Sequence, residues 1–184
     1  MIGKIRNNLM RFACLAAVAS AVLPTAARAE SEAADAQAAI VTRGEFFKVE
    51  DMHFGMVIPS LLPGTVVLAP DGSRTSTGGV TLVGNIHQAA EFGGRRPGNS
   101  NNPVQLSVGS NTILLTGPGL PMLVSLFRGN VNPNQILTTV PRGFQVVGQS
   151  NGAFEIRVGA TLNVGALQAP GTYTGNWSLN LEFQ

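Results

Sequence analysis

The chain has 184 residues, 44% of them hydrophobic and only 12% charged, with a formal net charge of +2. Charge this dilute leaves no electrostatic footprint for nucleic acid. Two histidines and one cysteine offer little material for a metal centre or a thiol nucleophile.

The first residues set the compartment. Met1 to Arg11 carry Lys4, Arg6 and Arg11 and no acid, Phe12 to Leu23 is an apolar run, and Ala27-Arg28-Ala29 is a small-x-small exit. This is the pattern of a secretory signal peptide over residues 1–29, cut before Glu30. A membrane span needs about 20 apolar residues, and the run is too short for that. Removing residues 1–29 takes four of the twelve basic residues and none of the ten acids, leaving eight against ten, a net −2. Cys14 departs as well, so the mature chain is expected to hold no disulfide, no cysteine zinc site and no thiolate.

Residues 30–44 form an alanine-rich, acidic extension. In an extended conformation Ala34, Ala36, Ala38 and Ile40 share one face. Alanine is also the best helix former, so a frayed helix is the competing reading of the same stretch.

From Glu45 to residue 184, frequent Gly and Pro cut the chain into short apolar runs, as in an all-β domain. In chain order the predicted strands are Phe46–Val49, Met52–Ile58, Thr65–Leu68, Arg74–Val83, Ala89–Phe92, Val104–Val108, Thr112–Leu115, Met122–Phe127 and Phe144–Val147. Pro70-Asp71-Gly72-Ser73 is a tight-turn signal that should pair Thr65–Leu68 with Arg74–Val83 antiparallel. Gly93 to Pro103 reads as a long polar loop.

The end of the chain is the clearest stretch. Phe154, Ile156, Val158, Ala160, Leu162 and Val164 take every second position, with Glu155, Arg157, Gly159, Thr161 and Asn163 between them. After a break the alternation resumes through Tyr173, Trp177, Leu179, Leu181 and Phe183. A period of two means strands with one buried and one wet face, here two long ones. Some ten strands without helices imply a sandwich or a barrel, and the long terminal strands with unequal connections favour a two-sheet antiparallel sandwich.

Four stretches carry a resemblance: Met52-His53-Phe54-Gly55-Met56-Val57-Ile58-Pro59, Gly64-Thr65-Val66-Val67-Leu68-Ala69-Pro70-Asp71-Gly72-Ser73-Arg74, Val158-Gly159-Ala160-Thr161-Leu162-Asn163-Val164-Gly165, and Pro170-Gly171-Thr172-Tyr173-Thr174-Gly175. Together they resemble the bacterial secreted family catalogued as domain of unknown function 4402, over roughly Glu45 to the end. The resemblance implies a Gram-negative source, a pilin-like (fimbrial) subunit and an immunoglobulin-like sandwich. It implies partners that are copies of the chain or related subunits, with a periplasmic chaperone in addition. It implies no catalytic residues.

The residues themselves agree on that last point. His53 and His87 lack a shared metal-ligand spacing. Glu50 and Asp51 are adjacent and would face opposite sides of a strand, and Asp71 is explained by its turn. No serine lies in a nucleophile elbow, and no glycine pair continues into a phosphate loop. No catalytic residue, cofactor site or metal site is therefore expected, and Arg95-Arg96 read as a solvated loop pair.

Two functions fit. The first is a noncatalytic structural or adhesive subunit at the cell surface or in the periplasm, assembling by strand donation. Its donor face would be Ala34, Ala36, Ala38 and Ile40. The alternative is a monomeric secreted module that binds a glycan or protein through Gly93–Asn102 or Asn130–Gln135.

Overall fold

The computed structural model describes residues 44–97, 103–131, 135–145 and 152–184. Among the described residues ten strands make up the regular structure: β1 Phe46–Glu50, β2 Met56–Leu68, β3 Arg74–Val83, β4 Ala90–Arg95, β5 Val104–Val108, β6 Thr112–Leu115, β7 Met122–Gly129, β8 Arg142–Phe144, β9 Ala153–Val164 and β10 Leu179–Phe183. They form two antiparallel sheets, a β-sandwich. Among the described residues no helix is long and apolar enough to cross a membrane.

β9 organises the larger, seven-stranded sheet. Its first half pairs with β4 and its second half with β2, both along one edge, while β7 takes the other edge. β1 extends the sheet beyond β4, β3 beyond β2 and β6 beyond β7. The predicted alternation is the reason. Phe154, Ile156, Val158, Ala160, Leu162 and Val164 are all buried, and Glu155 and Arg157 are exposed. The smaller sheet, in the order β10-β5-β8, turns Val104, Leu106, Val108 and Leu179 into the same core.

Several predicted elements are redrawn. Met52–Ile58 and Thr65–Leu68 belong to one bent strand, β2, that starts at Met56. The last predicted strand is interrupted. Thr174 pairs with Thr116, beside β6 of the large sheet, whereas Leu179 pairs with Val108 in the small sheet. The chain changes layers between those points, so no single ladder can hold Tyr173 to Phe183. Trp177 sits in the crossing, half-buried, stacked on Phe127 at 5.2 Å and edge-on to Phe92 at 5.6 Å. Gly93 to Arg95 are not loop but the end of β4, and Arg96 is buried, with its backbone N–H donating to the Gly152 carbonyl. β8 covers Arg142–Phe144 rather than Phe144–Val147, and Val146 and Val147 lie outside the described residues.

The hairpin β2–β3 has the expected turn. Gly72 takes φ 85°, and the Asp71 carboxylate accepts from both the Ser73 N–H and its hydroxyl. Those two bonds hold the Asp71 carboxyl below its ordinary value, because they stabilise the charged form. Further along, the hairpin kinks. Pro59 pairs with Val80 and Gly64 with Gly78, so Ser60 to Pro63 are extruded opposite Gly79 alone. Gly78 has φ 70°, and a β-carbon on Gly79 would collide with the Leu62 carbonyl oxygen. The kink folds the hairpin on itself. Arg74 at its turn end donates to the carbonyls of Phe54 (2.7 Å), Met56 (3.3 Å), Val83 (3.2 Å) and Gly84 (2.9 Å) near its open end. A flat strand would keep Arg74 and Val83 roughly 30 Å apart. No side chain spans that distance.

Candidate functional site: an open apolar cleft

The folded-back arm of β2 does not close fully on the sandwich. Between it and the inner face of the large sheet lies a cleft of about 710 Å³. Leu115, Met122, Leu162 and Val164 form its floor, from β6, β7 and β9. Met52 to Pro59 make one wall and Gln168 to Tyr173 the other.

The second wall is a rigid turn. Leu167 adopts φ 50°, and its N–H donates to the Ser60 carbonyl at 2.8 Å, tying the turn to the extruded segment. The Tyr173 hydroxyl donates to the Ala169 carbonyl (2.9 Å) and accepts from Gly119 N–H (2.9 Å) and Gln168 Nε2 (2.8 Å). Its ring therefore faces the cleft while its polar tip is satisfied. Around this end Leu61, Leu62, Leu120 and Leu167 stand in solvent, Leu61 at 77% and Leu62 at 67% exposure. Exposed aliphatic residues gathered at one end are a common sign of a protein interaction surface.

The arrangement can do two things chemically. It can take apolar side chains out of water, since no Asp, Glu, Lys or Arg lines it. It can also offer main-chain hydrogen bonds. Met56 to Pro59 pair with β3 on one edge, and among the described residues no strand pairs with the other. An unpaired edge beside an apolar cleft is a template for an added strand.

The predicted donor residues Ala34, Ala36, Ala38 and Ile40 lie outside the described residues. His53 is on the cleft wall, where its Nδ1 accepts the Gly55 N–H at 3.0 Å and its backbone pairs with Gln88. Glu50 accepts from Gln88 Nε2, and Asp51 is bound to Lys48 at 2.7 Å. Among the described residues no three His, Cys, Asp or Glu side chains gather as a metal site requires. Arg157 bridges Glu155 and Glu91 on the outer face of β9 and β4, and the two carboxylates push its guanidinium further toward the charged form. The loops of the alternative reading are partly structural. Asn130 exchanges hydrogen bonds with the Arg157 backbone, and Gln135 accepts from Arg142.

Sequence reasoning missed the cleft. The available signal was the run Pro59-Ser60-Leu61-Leu62-Pro63, apolar yet fenced by two residues without an N–H, and hence poorly suited to continuous pairing.

Comparison with known proteins gives one match. Residues 45–183 fit the model of a family described as Domain of unknown function (DUF4402). No curated protein and no solved structure matches.

Proposed function

The chain belongs to the family of domain of unknown function 4402, and from that premise we propose that it is an exported, noncatalytic, pilin-like structural or adhesive subunit that assembles by strand donation. The observation that carries this reading is the apolar cleft beside the unpaired edge of Met56–Pro59. A strand laid there would gain main-chain bonds from the edge and pockets for alternate side chains. Each large aliphatic side chain so buried contributes about 1.5–3 kcal/mol, against an association cost of about 4–15 kcal/mol.

The two ends of the domain are open to a chain of subunits. Gly44 N–H bonds to the Arg95 carbonyl, and Arg95 pairs with Ala153 at the start of β9. The cleft floor holds Leu162 and Val164 at the other end of β9, roughly 30 Å away by strand rise. Gly44, where the extension joins the domain, thus lies at one end while the cleft opens at the other. An acceptor at one end and a donor joined at the other suit a head-to-tail contact, which makes an open fibre where the rotation between subunits does not close a ring. The partners on this reading are copies of the chain or related Gram-negative surface subunits.

The test is deletion of residues 30–43. Light scattering should show concentration-dependent self-association of the intact chain and its loss in the deletion, with an unchanged β-type far-ultraviolet spectrum. Association that persists without the segment would falsify strand donation. A monomer at every concentration, with or without it, would favour the solitary glycan- or protein-binding module.

A further inference from the structure

The cleft and the chain's own extension are poorly matched. Met52, Met56 and Met122 are the only methionines after Met10, and all three line the cleft. Unbranched thioether side chains reshape around different guests, which is how methionine-rich surfaces accept varied partners. The aliphatic floor beneath them asks for side chains that reach into it. Ala34, Ala36 and Ala38 offer one methyl each, and Ile40 alone is large.

We infer that the preferred occupant of the cleft is an extended segment of a different subunit, bearing large aliphatic side chains at alternate positions and no charge on that face. This chain's own extension is the weaker guest. The inference rests on the strand-acceptance reading above and adds the identity of the donor. It makes the chain a junction: its cleft takes another kind of subunit in preference, with copies of itself as the weaker partners. Each alanine-to-leucine change adds three carbons to a knob, and burying even part of them strengthens binding about tenfold per position.

The experiment uses the mature chain from Glu30, labelled with ¹³C in its methionine methyl groups, and two synthetic peptides. One copies residues 32–42, and the other carries Ala34→Leu, Ala36→Leu and Ala38→Leu. The leucine peptide should bind about 10²–10³-fold tighter and shift the signals of Met52, Met56 and Met122, the methionines that the chain from Glu30 onward retains. The chain's own extension competes equally against both peptides and leaves their ratio unaffected. Equal or tighter binding of the unaltered peptide overturns the inference while leaving strand acceptance intact. If neither peptide moves the three signals, strand acceptance itself fails, and the inference with it. Ile58→Glu, at a wall position 56% exposed and so tolerant of charge, should weaken the leucine peptide at least tenfold. Undiminished binding to that variant places the site elsewhere and overturns the inference.

Discussion

The two ends of β9 are finished differently. Around its first half the sandwich is closed by aromatic packing and bordered by charge. Phe46 stacks on Phe92, Phe154 meets Phe183 edge-on, and Glu91, Glu155 and Arg157 form an ion cluster outside. Around its second half, past the Phe127–Trp177 stack beside Gly159, no further ring pair and no ion pair is found among the described residues. Residues 104–127 and 158–181 contain no Asp, Glu, Lys or Arg, and the layer above β9 is a folded-back hairpin arm instead of a paired sheet. The first end satisfies itself. The second spends one guanidinium and two glycines to hold a wall away from the core, and the space so kept is what a partner can use.

The comparison breaks most visibly at the middle of β9, where the aromatic packing ends. Phe127 is fully buried beneath Trp177, and Phe127→Ala should cost about 3–5 kcal/mol by chemical denaturation, a large part of a typical domain stability of about 5–15 kcal/mol. A loss below about 1 kcal/mol would mean that the stack does not hold the two layers together there.

At the open end a smaller loss is expected, confined to one wall. Arg74→Ala removes the charged donor shared by four carbonyls and should cost about 2 kcal/mol. Amide exchange at Val57 and Leu82 should quicken, with Ile156 and Val158 unchanged. Uniform quickening across β9 would show instead that the arm and the closed end unfold together. Gly79→Ala probes the same wall from the kink. The collision with the Leu62 carbonyl should cost about 1–2 kcal/mol, and a neutral result would show that the extruded segment can shift aside.

The turn sets the lower limit. The folded carboxyl of Asp71 is held below its unfolded value by Ser73, so its contribution is fully present above the ordinary aspartate value of 3.8 and fades as pH falls through the lower, folded one. Carboxyl NMR should place its midpoint under 3.8. A midpoint at or above that value would remove the Asp71–Ser73 bonds from the account.

Strand pairing was legible where local rules and tertiary needs coincide. β3, β5 and β6 have their predicted bounds, and the Asp71-Gly72 turn joins the strands it should. Periodicity gave β9 its buried face residue by residue. It misled at Tyr173 to Phe183, because alternation reports which side of the chain is apolar, not which sheet it pairs with. The candidate site was the least legible part. A cleft arises from what fails to meet: β2 bends at Ser60–Pro63, Arg74 fixes the bend, and residues 168–173 stop short of the bent arm. None of these distances is written in any local pattern. The donor face at Ala34, Ala36, Ala38 and Ile40 rests on spacing alone, since it falls outside the described residues.

β9 also has a mechanical meaning. Strung between neighbours, each domain would be gripped near Val164 and pulled from Gly44, so tension would run parallel to this strand. The load from Gly44 would enter through β1, whose bonds to β4 lie along the pull and would be sheared together, not unzipped one after another. On the strand-donation proposal, such a domain gains from having its longest buried ribbon in line with the pull.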